Sequence, residues 1–155
     1  IWQQGNHEER LQEYYRHYAP QLADLPTATL DEILRLEQRK ITWLDRKQKI
    51  TAGELTMLHG HEMRGVMSPV SPARWAMLKA KSCCIIGHFH ATSECVERCL
   101  DGKLVSTWSV GCLCDLEPDY NTYGNRWNWG VAILHVSKSS WELVNKKILP
   151  NGKIV

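Results

Sequence analysis

Two short apolar runs, each stopped by glycine and histidine, constrain this chain more than any other feature. Leu55 to Leu58 ends at His59-Gly60-His61, and Cys83 to Ile86 ends at Gly87-His88-Phe89-His90. Short apolar runs bounded by such residues read as strands. Closing on glycine and imidazoles, they have the form of strands that deliver ligands at their C-terminal ends. Open α/β sheets place their sites at that edge. A third cluster, Gly5-Asn6-His7-Glu8, repeats the glycine-plus-histidine makeup near the start of the chain. A lone histidine is ordinarily structural, and His17 and His135, in helical and strand contexts, read that way. Three clusters beside glycine at strand-to-loop junctions form a pattern. Neutral imidazoles suit Zn, Mn, Fe and Ni, and an Asn carbonyl oxygen suits a harder position.

The surrounding sequence reads as one α/β domain over residues 1–155. In residues 8–49, Leu11, Tyr14, Tyr15 and Tyr18 recur at helical spacing until Pro20 and Pro26 interrupt them. Thr29 with Glu32 predicts a capping box ahead of Ile33, Leu34 and Leu36. Ser71-Pro72 predicts a helix start for Trp75, Met77 and Leu78. Asp101-Gly102 predicts a hairpin turn between 95–100 and 104–110. Runs 129–136 and 141–144 predict a last hairpin turning at Lys138-Ser139.

Composition removes several function classes. With 19 Lys and Arg against 17 Asp and Glu, the net charge of +2 is too small for a polybasic nucleic-acid module. No run approaches the ~18 consecutive apolar residues of a membrane helix, so no membrane partner is expected. His61-Glu62 and His7-Glu8 lack the second histidine of a zinc-protease helix, and neither a phosphate-binding P-loop nor a serine-hydrolase elbow occurs. The six cysteines, Cys83, Cys84, Cys95, Cys99, Cys112 and Cys114, include an adjacent pair and a Cys-x-Cys that are awkward to bridge. They read as buried, reduced thiols and imply a cytoplasmic location. A structural zinc on four of them is the sharper alternative, without the paired C-x-x-C spacing that would support it.

In order and spacing, Gly5-Asn6-His7-Glu8, His59-Gly60-His61 and Gly87-His88-Phe89-His90 resemble the last three signature motifs of calcineurin-like metallophosphoesterases. The stretch from Gly111 through Tyr120 to Trp129-Gly130-Val131 is similar to phage- and prophage-type members. The resemblance implies a four-layer α/β/β/α sandwich and an enzyme, a phosphatase or phosphodiesterase. It implies two divalent ions (Mn, Zn, Fe or Ni) that activate a hydroxide and neutralise charge on the phosphoryl oxygens. Carried over residue by residue, Asn6, His59 and His88 would bind one metal and His90 the other. His7 would be catalytic, a general acid or transition-state stabiliser beside the phosphate, and His61 would support the ligands or be structural. The implied partner is a phosphoester, with nucleic acid or a nucleotide among the candidates. Loops 62–72 and 113–128, where specificity would reside, carry no readable code.

The family's first two motifs, Asp-x-His and Gly-Asp-x-x-Asp, are absent. No Asp here has His two positions later, no Gly is followed by Asp, and the first Met is Met57. The expectation is therefore the C-terminal two-thirds of a phosphoesterase, its N-terminal strands missing. Such a piece would be weakly active or inactive, would hold metal poorly without the bridging carboxylate, and would self-associate through an opened sheet edge. The competing reading is a non-catalytic nucleic-acid- or partner-binding module. It rests on the basic stretch 35–49 and on Tyr123, Trp127 and Trp129 as base-stacking platforms. The alternative for these tryptophans is packing against the hairpins.

Overall fold

A computed structural model of the chain describes residues 1–63, 65, 69–121, 124–138 and 140–155. It divides into two compact units, Ile1–Lys49 and Ile50–Val155.

In the first unit, β1 (Trp2–Gln3) is followed by helix α1 (Asn6–Tyr18). The Gly5 backbone N–H donates to the Glu8 carboxylate at 2.8 Å, which satisfies one donor at the helix start. Glu8 and Glu9 in the first turn and Arg16 and His17 in the last oppose the helix dipole. The chain then breaks at Pro20 and Pro26, giving α2 (Pro20–Ala23), a 3₁₀ turn (Pro26–Ala28) and α3 (Leu30–Ile33). Thr29 occupies the N-cap of α3, but the predicted capping box does not form. The Thr29 hydroxyl donates back to the Pro26 carbonyl at 3.0 Å, and the helix ends after four residues. The tight turn at Pro26 takes the side chain that would have capped the helix. Strand β2 (Trp43–Leu44) pairs in parallel with β1.

The second unit holds the histidine-closed strands. It contains β3 (Ile50–Ala52), β4 (Leu55–Leu58), helix α4 (Pro72–Ala80), β5 (Cys84–Ile86), β6 (Ser93–Arg98) and β7 (Leu104–Ser109). The hairpin β8 (Gly130–Val136) and β9 (Trp141–Lys147) closes it. Five strands form one mixed sheet in the order β3-β4-β5-β7-β6, in which β4, β5 and β7 run parallel. The turn at Asp101-Gly102 joins β6 to β7, as predicted. Of the turn predicted at Lys138-Ser139, Ser139 lies outside the described residues.

Strand alternation sorts the side chains into two layers. Cys84, Ile86 and Leu58 meet Trp75 and Ala76 of α4 on one face. Leu55 and Trp108, with Met57 and Ile85, meet Leu134, Trp141 and Leu143 of the hairpin on the other. Trp108 and Trp141 make an edge-to-face contact at 5.8 Å across that layer. Helix α4 starts at Ser71, whose hydroxyl accepts from the Arg74 N–H at 3.4 Å, while Ser93 Oγ accepts from the Ala73 N–H at 2.9 Å. The architecture is mixed α/β, as expected. Among the described residues no helix is long and apolar enough to cross a membrane.

Candidate metal centre

Because β4 and β5 are parallel neighbours, their C-terminal ends share one sheet edge and so do the loops they feed. The two loops are tied together by their backbones. The N–H groups of Gly87 and His88 both donate to the His59 carbonyl, at 2.9 and 2.8 Å. Gly60 takes φ +114°, and a Cβ there would press on Ile86 and His88, so glycine permits the close approach. The ring of His59 consequently lies 4.8 Å from that of His61 and 5.1 Å from that of His88. His59 Nδ1 and His61 Nδ1 are 2.9 Å apart, a hydrogen bond in which one imidazole donates and the other accepts.

Glu62 completes this group. Its Oε2 accepts from the Gly60 N–H at 2.6 Å and lies 3.6 Å from His61 Nδ1. Its other oxygen, Oε1, is buried and has no hydrogen-bond partner among the described residues. His59, His61 and Glu62 offer ligand atoms within 4.8 Å of one another. His61, expected only as a supporting residue, thus stands beside His59 as an equal.

His90 belongs to a second group, with Cys112 and Cys114. These cysteines follow β7, the third parallel strand, so they emerge at the same sheet edge. The Val110 N–H donates to the Ile86 carbonyl at 2.9 Å. Gly111 then passes so close to Asn128 and Gly130 that a Cβ would collide with their backbones. His90 is held at φ +56°, with the Trp127 ring 4.4 Å away.

No family model, curated protein or solved structure matches the chain. Its own residues therefore carry the functional argument.

Among the sequence-predicted site residues, His59 and His88 come together and His90 joins the cysteines. Asn6 and His7 are the first residues of α1 in the first unit, with Asn6 half-buried and His7 exposed. His17 and His135 are exposed. All six cysteines are free thiols, as expected, but only Cys83, Cys84 and Cys112 are buried. Cys99 and Cys114 are exposed, which corrects the expectation of general burial, because the loops at the hairpin tip and after β7 lie on the surface. Burial pushes the Cys112 thiol up to about 11, and the neighbouring Cys114 adds to the effect. No group of four cysteines forms among the described residues.

The base-stacking candidates divide. Trp129 is half-buried, its indole N–H donating to the Cys114 carbonyl at 2.8 Å, so it braces a loop. Trp127 lines a cavity of about 390 Å³ together with Phe89, Thr92, Arg126 and Asn128. Tyr123 lies outside the described residues. In the basic stretch 35–49, Arg46 pairs with Glu9 at 3.1 Å, as a solvated face interleaved with acids would. Sequence reasoning missed Cys112 and Cys114 as companions of His90. The available signal was Gly111 followed by a ligand, Cys112, at the end of the predicted strand 104–110.

Proposed function

We propose that this protein is a metal-dependent phosphoester hydrolase of the calcineurin-like type, a phosphatase or phosphodiesterase on a four-layer α/β/β/α fold. One observation carries the reading: His59, His61 and His88 gather at the ends of two adjacent parallel strands with the Glu62 carboxylate against them. Three imidazoles and a carboxylate suit Zn, Mn, Fe or Ni. The buried Oε1 of Glu62, without a hydrogen-bond partner among the described residues, is what a carboxylate kept for a cation would look like. His59, His61, His88 and Glu62 would hold the ion, and the hydrogen bond between His59 and His61 would give way as both nitrogens became ligands. When bound, divalent ions supply positive charge against the phosphoryl oxygens and acidify water.

The chain's own residues account for substrate handling. The exposed Arg126, at the rim of the cavity shared with Phe89 and Trp127, offers a guanidinium to a phosphate. Phe89 and Trp127 give the same cavity an apolar wall for the esterified group.

Hydrolysis of aryl phosphomonoesters and phosphodiesters by the 155-residue chain, followed as Mn²⁺ or Zn²⁺ is added, tests the reading. Metal-dependent turnover is expected. His88→Ala should lower both bound metal and turnover, the latter by about 10²-fold or more. Arg126→Ala should raise KM more than it lowers kcat, because it weakens ground-state binding. Absence of metal-dependent turnover, with metal bound, would refute the proposal.

A further inference from the structure

We infer that His90, Cys112 and Cys114 form a zinc site in which two thiolates take the place that carboxylates would otherwise fill. It deepens the reading of His90 as a metal ligand given above, yet it stands on thiolate coordination, which no hydrolysis assay reports.

The geometry comes first. The three ligand atoms lie within 4.8 Å of one another, and Cys114 Sγ is 3.8 Å from His90 Nδ1. Tetrahedral zinc with Zn–S of ~2.3 Å and Zn–N of ~2.0–2.1 Å needs ligand separations of roughly 3.6 Å for N to S and roughly 3.8 Å for S to S. The His90–Cys114 pair is already near that value.

The scaffold comes second. Asn128 binds both loops at once: its N–H donates to the His90 carbonyl and its carbonyl accepts from the Cys112 N–H, each at 2.9 Å. Its side chain is fixed in turn, Oδ1 accepting from the Thr92 N–H at 2.8 Å and Nδ2 donating to Thr92 Oγ1 at 2.7 Å. Trp129 secures the third ligand through its 2.8 Å hydrogen bond to the Cys114 carbonyl. Three ligands from two loops are thus positioned before any ion arrives, which spares most of the ordering entropy of binding.

Charge decides the metal. A +2 ion against neutral imidazoles alone keeps its full charge, an unfavourable state at a half-buried site. Binding through two cysteines releases two thiol protons and leaves a neutral zinc dithiolate. Sulfur donors also favour zinc over Mn²⁺ or Mg²⁺. With three protein ligands, the fourth position falls to water or to a ligand's oxygen, as in open zinc sites.

Co²⁺ titration under reducing conditions is the test, since sulfur-to-cobalt charge transfer gives a near-ultraviolet band that nitrogen and oxygen ligands do not. One equivalent should produce the band, Zn²⁺ should erase it, and His59→Ala should keep it. Cys112→Ser and Cys114→Ser should each about halve it, and the double variant should lose it. A second measurement needs no variant: Zn²⁺ should block alkylation of Cys114 in the native protein while the exposed Cys99 stays reactive. Cobalt binding without the band, a band that survives in the double variant, or equal labelling of Cys114 with and without Zn²⁺ would overturn the inference. Loss of phosphoester turnover alone would not.

Discussion

Cys84 lies on β5 with only 1% of its surface exposed, one residue from Cys83, and its thiol ionises only near pH 11. Burial is the main cause, and the adjacent Cys83 adds to it. The consequence for stability has a definite sign. Below the ordinary thiol value of 9.0, Cys84 is protonated whether the chain is folded or not. Between about 9 and 11 the unfolded chain loses the proton first, so the folded state binds more protons and stability falls as pH rises. Denaturant midpoints measured from pH 8 to 11 should decline over that window, and Cys84→Ala should flatten the decline. Alkylation should report the same thiol: at pH 8, Cys99 should react well before Cys84, because the thiolate is the reactive form.

Helix α4 is joined to the sheet by polar contacts as well as by its apolar face. The Thr107 hydroxyl, fully buried on β7, donates to the Ala73 carbonyl at 2.7 Å. Thr107→Val keeps the shape and removes the donor, and should lower stability by about 1 kcal/mol, read from urea unfolding. This helix was legible in the sequence because its start is encoded locally, in the Ser71-Pro72 pair and the apolar residues that follow. So were β4 and β5, whose four-residue apolar runs end on glycine or histidine. The Thr29 capping box failed because Pro26, three residues upstream, competes for the same hydroxyl. The cysteine companions of His90 were hidden for a different reason. Asp101-Gly102 announces that β6 and β7 pair, but nothing local states that β7 inserts beside β5 and leaves β6 at the edge. That choice comes from packing: Trp108 of β7 fits against Trp141 of the hairpin, and Thr107 reaches α4. Once β7 is central, Cys112 and Cys114 must emerge beside His90.

At the scale of the whole molecule, the boundary between the two units follows a surface segment rich in cleavable residues. Arg46, Lys47 and Lys49 are all exposed and lie at the end of the first unit. Limited trypsin digestion should therefore nick at 46–49 early and leave residues 50–155 as the resistant product, identified by mass. Early, equal cleavage within β4 to β9 would contradict the division. The total free energy that keeps such a chain folded is small, on the order of 5–15 kcal/mol. Against that margin the backbone of His90 matters. A φ of +56° is where glycine rests without strain, and a residue with a Cβ gives up on the order of 1 kcal/mol to stay there. Position 90 is thus pulled two ways, toward glycine by the chain and toward imidazole by what the side chain can reach.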